Sequence, residues 1–116
     1  MVKRAIPAGA LCVAAALLAA PATARDTQFW NLTSSTVNSL ELAPAGTPAF
    51  GPNQCKNDPD GAVDHDERLK VAGVKTGAYD ARLKLADGRT CMAKGVKIEA
   101  GKPFSIEEKD LVGCAR

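Results

Sequence analysis

The sequence predicts an all-β protein: a small antiparallel β-sandwich of about six short strands that follows an N-terminal signal helix. Three observations lead to this fold class. Apolar and polar residues alternate with period two more often than with the helical period. Turn-forming residues recur at short intervals between these alternating stretches. The chain has 116 residues, which is enough for one domain and not for two.

Residues 1–24 have the pattern of a secretory signal peptide. Lys3 and Arg4 form a basic start, and the thirteen residues from Ala8 to Ala20 carry no charge. Thirteen helical residues rise about 20 Å, which is short of the roughly 30 Å of hydrocarbon in a bilayer. We therefore expect cleavage between Ala24 and Arg25 and export to the periplasm or beyond, with no membrane span in the mature chain.

Charge excludes some partners. The chain has 15 basic and 13 acidic residues, and the excess lies in the leader. Residues 25–116, the predicted single β-sandwich domain, are neutral overall. Their net charge therefore gives no electrostatic attraction to nucleic acid or to an anionic membrane.

The predicted strands follow from alternation along the chain. Phe29 to Leu32 forms the first strand, and Asp87-Gly88 is a hairpin turn between two longer strands. The apolar residues expected to face inward in the second long strand occupy odd positions up to Ala93 and even positions from Val96 onward. One extra residue must therefore lie between them, and we expect a β-bulge at Gly95. The predicted inward-facing residues of the other strands before the hairpin are Leu40, Leu42, Leu69, Val71, Tyr79, Ala81, Leu83 and Leu85.

Two stretches are less regular. Residues 43–66 are rich in Pro, Gly and acidic residues, so they are expected to form a long loop. Phe104 and Ile106 alternate in a last predicted strand, which is followed by at most a single helical turn near residues 108–112.

Three cysteines remain after removal of the leader, in an oxidising compartment. We expect a disulfide between Cys91 and Cys114. If the strands at residues 91–98 and 104–107 formed a hairpin turning near Gly101, Cys91 would lie opposite residue 111, and Cys114 could fold back onto it. Cys55 would then be free, leaving the protein a monomer, or a dimer joined through Cys55.

Several short motifs span most of residues 29–98. They are Phe29-Trp30-Asn31-Leu32-Thr33, Leu40-Glu41-Leu42-Ala43-Pro44, Phe50-Gly51-Pro52-Asn53-Gln54, Gly77-Ala78-Tyr79-Asp80 and Asp87-Gly88. Together these motifs resemble those of small exported bacterial proteins of unknown function, often labelled Tat-pathway signal proteins. Phe50 stands where that family has Trp, and the second Arg of a twin-arginine leader is absent. The resemblance implies a compact, exported β-sandwich and no particular activity.

The Gly-x-Tyr strand leading to the Asp-Gly hairpin also resembles transthyretin-like and carboxypeptidase-regulatory sandwich modules. An immunoglobulin-like or transthyretin-like arrangement is therefore expected. This likeness concerns the fold alone and implies no function.

The acidic part of the loop is the best candidate for a metal site. Its spacing matches six places of an EF-hand calcium loop, but Lys56 occupies the first ligand position, where a carboxylate belongs. The alternatives are an irregular calcium loop and a solvated turn in which Asp58 or Asp64 caps backbone amides. The candidate calcium ligands are Asp58, Asp60, Asp64, Asp66 and Glu67.

No catalytic constellation stands out, so we expect a non-enzyme. His65 is the only histidine and would have to serve any small metal-dependent hydrolase built on this chain. The leading hypothesis is an exported binding or structural module whose partner is a protein or a component of the cell envelope. A calcium-binding protein is the alternative.

Two further surface features are candidate binding sites. Trp30 and Phe50 could form an exposed platform, although five aromatic residues in all favour a role in the core. The basic residues Arg82, Lys84, Lys94 and Lys97 could bind an anion, or could simply form a solvated face that prevents edge pairing.

Overall fold

The computed structural model describes residues 25–116, which form seven strands and two short 3-10 segments. The predicted leader and Ala24 at its cleavage site lie outside the described residues. The strands are β1 (Thr27–Leu32), β2 (Val37–Pro44), β3 (Arg68–Val71), β4 (Gly77–Leu85), β5 (Thr90–Ile98), β6 (Pro103–Glu107) and β7 (Val112–Ala115), and the 3-10 segments are Gln54–Asn57 and Glu108–Asp110.

The strands form two sheets, which confirms the predicted all-β class. One sheet has the order β3-β1-β6, and the other has the order β2-β4-β5-β7. All pairs are antiparallel except β1 with β6, which run parallel. Parallel pairing is possible here because β6 follows β5 of the opposite sheet and reaches β1 by a crossover.

One hydrophobic core lies between the sheets. The residues expected to face inward are buried in both sheets, as Leu40, Leu69 and Leu83 show. Tyr79 is only partly buried. Phe29 from β1 and Phe104 from β6 pack with ring centroids 5.7 Å apart. Because the side chains of a strand alternate between its two faces, polar residues between these positions point outward.

The hairpin and the bulge are both present. The Gly88 N–H donates to the Leu85 carbonyl at 3.0 Å, and Gly88 has φ +98°. Ala81 pairs with Ala93 and Tyr79 with Val96, so β5 has one more residue than β4 in this interval. Gly95 in that interval has φ +65°, which glycine adopts without strain.

Cys91 and Cys114 are joined by a disulfide, although the hairpin from which we predicted it is wrong. β5 and β6 lie in different sheets, so no hairpin turns near Gly101. Instead the chain returns to the edge of β5 as β7, which pairs at Thr90 and Met92. This pairing places Cys114 beside Cys91.

Candidate functional site

The acidic loop disperses its carboxylates instead of gathering them. The Asp58 carboxylate accepts the Asp60 N–H at 2.8 Å, as expected for a turn. Asp64 accepts the Thr36 hydroxyl at 2.8 Å. The Glu67 carboxylate accepts the Asp64 N–H at 2.9 Å. Each of these three carboxylates therefore accepts a hydrogen bond from a different donor, and none shares a donor with another.

Asp66 has a separate structural role. Its carboxylate accepts the indole N–H of Trp30 at 3.0 Å, and its backbone has φ +72°. Its N–H donates to the Asn31 carbonyl at 2.6 Å. Across residues 25–116, no three His, Cys, Asp or Glu side chains come together in a way that could hold a metal ion.

His65 is exposed and bound to the backbone. Its Nδ1 lies 2.7 Å from the Thr33 carbonyl oxygen, so Nδ1 carries the proton in this contact. In the described part of the chain, no hydroxyl or thiol is hydrogen-bonded to the other ring nitrogen. The expected partners of a nucleophilic site are thus not assembled around His65.

Cys55 is free and fully buried. Burial, with a smaller effect from the charge of Asp58, raises the pKa of the Cys55 thiol to about 11. The thiol is therefore protonated at neutral pH, and a disulfide dimer through Cys55 would require the loop to open.

Trp30 and Phe50 lie outside the core, contrary to the expectation from the aromatic count. Trp30 is on the outer face of β1 because its neighbour Phe29 points inward. The Arg68 guanidinium lies 4.7 Å from the Trp30 ring centroid, and that of Arg82 lies 4.1 Å from the Phe50 ring centroid. Both rings are only half-buried and are covered in part by arginine.

One side of the sandwich is sealed by the long loop. The Asn53 carboxamide oxygen accepts the N–H groups of Leu40 at 3.0 Å and Cys55 at 2.9 Å. The Gln54 side chain donates to the Ala72 carbonyl and accepts the Ala72 N–H, both at 3.0 Å. These amides replace a missing strand at the edge of β2 and just beyond the end of β3. The Pro-Asn-Gln sequence thus has a structural role.

The opposite side is open along β5. β7 pairs with β5 only at Thr90 and Met92, and beyond Met92 no described strand pairs with that edge. β6 faces this edge from the other sheet and, among the strands of residues 25–116, pairs with β1 alone. A cavity of about 440 Å³ lies between them, with Ala93, Val96 and Phe104 among its lining residues.

The backbone of Lys97 points into this open side. The Ala78 carbonyl accepts the Ala45 N–H at 3.0 Å, so the polar groups of Ala78 face β2. Lys97 is the direct partner of Ala78 across β4 and β5. In an antiparallel pair, opposite residues bond to each other or both point away. The N–H and carbonyl of Lys97 therefore face the open edge.

The four basic residues singled out from the sequence separate into two groups. Arg82 forms an ion pair with Glu41 at 2.8 Å and covers Phe50. Lys84 is exposed on β4, away from the cavity. Lys94 and Lys97 line the cavity, together with Asp110. The open edge is a feature that reasoning from the sequence missed, and its local signal was a pair of lysines on either side of the Gly95 bulge.

No protein-family model matches this chain, and no curated protein or solved structure gives a significant match. Within residues 25–116, no helix has the length and apolar character needed to span a bilayer.

Proposed function

We propose that this protein is an exported, non-enzymatic binding module that takes an extended segment of a partner polypeptide as an added strand on β5. One observation carries the proposal: the sandwich seals the β2 and β3 side with the amides of Asn53 and Gln54, whereas no strand within residues 25–116 pairs with the β5 edge beyond Met92. An unpaired strand edge offers a row of backbone donors and acceptors to an extended peptide.

The residues around this edge would also contact the side chains of an added strand. Side chains of an added strand would alternate between the outer sheet face and the cavity between the sheets. On the cavity side they would meet the partly buried Val96, together with Ser105 and Asp110. Backbone pairing would supply affinity, and this lining would supply selectivity.

Export is part of the proposal and is supported by two features. The leader at residues 1–24 has the basic start and apolar run of a signal peptide. The Cys91–Cys114 disulfide is a bond that persists in oxidising compartments. Intact-mass analysis of the exported protein tests this part, and we expect Arg25 at its N-terminus.

The binding proposal is tested by amide NMR with a blocked hexapeptide of alternating valine and glutamine. We expect shifts in the amides of Lys94, Lys97 and Phe104, around the open edge. Lys97→Pro removes an N–H that faces the edge and leaves the β4 ladder intact, so it should abolish these shifts. Lys97→Gln is the matched control and should keep them.

Two results would contradict the proposal. Shifts that persist in the folded Lys97→Pro variant would place binding elsewhere. Absence of any shift in the parent at millimolar peptide would remove the β5 edge as a binding site. The thermal midpoint and the amide spectrum of Lys97→Pro establish that the variant is folded.

A further inference from the structure

We infer that the partner segment carries two acidic residues at alternate positions with an apolar residue between them. This inference rests on the proposed function and names the chemistry of its partner. It follows from how the β5 bulge arranges two lysines, from the contacts of the nearby charges, and from the lining of the cavity.

The bulge puts Lys94 and Lys97 on one face of the sheet. Residues three apart in a regular strand point to opposite faces. Here Asp80 lies opposite the two residues Lys94 and Gly95, because the flanking pairs are Ala81 with Ala93 and Tyr79 with Val96. The extra residue in the bulge shifts the in-out alternation of β5 by one position. Lys97 therefore points outward like Lys94, and the two lysines occupy successive outward positions.

These two ammonium groups are less engaged than the neighbouring charges. Among the described residues, neither Lys94 nor Lys97 forms an ion pair, although the charge of Lys94 helps to lower the pKa of the Asp80 carboxyl. Lys102 is paired with Glu99 at 2.6 Å. The Asp110 carboxylate accepts the Glu107 N–H at 2.8 Å.

Successive outward positions on an added strand would lie beside these lysines. Opposite charges on neighbouring strands attract, and like charges directly opposite repel. Carboxylates at positions i and i+2 of the partner match Lys94 and Lys97 in spacing and sign. The residue between them points inward beside the partly buried Val96, whose side chain favours an apolar neighbour.

A second copy of this chain is a poor occupant. Two β5 edges paired with each other would bring lysines close together. The chain has acid-x-acid sequences at residues 58–60, 64–66 and 108–110. Pro59 interrupts the first, and Asp66 with φ +72° bends the second out of an extended conformation. The third forms the 3-10 segment Glu108–Asp110 and is not extended either. The partner is therefore a different polypeptide.

The test compares three blocked hexapeptides in which valine alternates with glutamate, glutamine or lysine, titrated at low salt. Two opposite-charge pairs predict that the glutamate peptide binds about threefold to tenfold more tightly than the glutamine peptide. The lysine peptide should bind most weakly. The preference for glutamate should shrink at 0.5 M salt because the pairs are exposed.

The double variant Lys94→Gln/Lys97→Gln should remove the preference for glutamate. The matched control Lys75→Gln/Lys84→Gln loses the same charge outside this edge and should keep it. Equal binding of glutamate and glutamine peptides, still sensitive to Lys97→Pro, would overturn the inference and leave the proposed function standing. Binding that ignores Lys97→Pro would overturn the proposed function itself. A dimer through β5 in sedimentation would also overturn the inference.

Discussion

The Asp80 carboxylate ties together two parts of the chain that are far apart in sequence. It accepts the Gly46 N–H at 2.9 Å and the Gly95 N–H at 3.0 Å. Asp80 is 6% exposed although it lies on the outer face of β4. These two backbone donors lower the pKa of its carboxyl. Asp80 therefore holds both the start of the long loop and the bulge that positions Lys94.

Asp80→Asn is predicted to destabilise the fold by about 1–3 kcal/mol, because an amide can accept only one of the two N–H groups and leaves the other unsatisfied. Urea unfolding measures the change. The control Asp26→Asn alters an exposed acid 3.8 Å from Lys70 and should change stability by less than about 0.5 kcal/mol. Equal effects of the two substitutions would refute this role of Asp80.

Glu108 joins three turns at one end of the sandwich. Its carboxylate accepts the Arg89 guanidinium N–H at 2.7 Å and both the N–H and the hydroxyl of Ser34 at 2.9 Å. The Arg89 hydrogen bond is the main cause that lowers the pKa of the Glu108 carboxyl to about 2, and the Ser34 N–H is the next.

The contribution of Glu108 to the free energy of unfolding should decrease as the pH is lowered. The folded-state pKa of about 2 lies below the ordinary value of 4.5, so the contribution is complete above pH 4.5 and is lost as the pH falls towards 2. Glu108→Gln should therefore be less stable than the parent at pH 6, with the two converging near pH 2. Unfolding free energies measured between pH 2 and 6 decide this, and parallel curves would be inconsistent with it.

At the scale of elements, the loop before β3 replaces a strand by using side-chain amides. Asn53→Ala is predicted to cost about 1–3 kcal/mol, because the Leu40 and Cys55 N–H groups lose their acceptor. It should also accelerate hydrogen exchange at the Leu40 amide. Asn38→Ala, at an exposed position of β2, is the control. Unchanged exchange at Leu40 would mean that Asn53 does not seal this edge.

Alternation predicted most strands, since buried positions such as Leu83 and Leu85 recur with period two. It did not predict β7, whose four residues are all exposed and carry no apolar-polar signal. β7 is held by pairing with β5 and by the disulfide from Cys114, which are tertiary contacts. Local patterns cannot show which sheet a short edge strand joins, and for this reason the predicted hairpin near Gly101 was wrong.

The candidate site shows a similar division. The sequence located the Gly95 bulge and both lysines, because a parity change and a glycine are local signals. Whether a strand edge is paired depends on the sheet order, which alternation does not encode. The roles of Asn53 and Gln54 were hidden for the same reason, since their partners Leu40 and Ala72 are 13 and 18 residues away.

For the whole molecule, the dispersed carboxylates of the acidic loop predict little response to calcium. Asp64 and Asp66 bond to Thr36 and Trp30 on different strands or turns, and a shared ion would have to break these contacts. We expect the thermal midpoint in 1 mM calcium to match that in chelator, in both the parent and Asp60→Ala. A calcium-dependent rise that Asp60→Ala abolishes would instead establish a calcium loop.

The proposed function depends on an asymmetry between the two sides of the sandwich, one sealed by side-chain amides and one with an unpaired strand edge. Native-state hydrogen exchange at single amides tests this asymmetry most directly. The account predicts that the Lys94 and Lys97 amides exchange rapidly, while the Leu40 amide, bonded to the Asn53 side chain at 3.0 Å, is protected. Protection of Lys94 and Lys97 equal to that of Leu40 would contradict the open edge on which the proposed function rests.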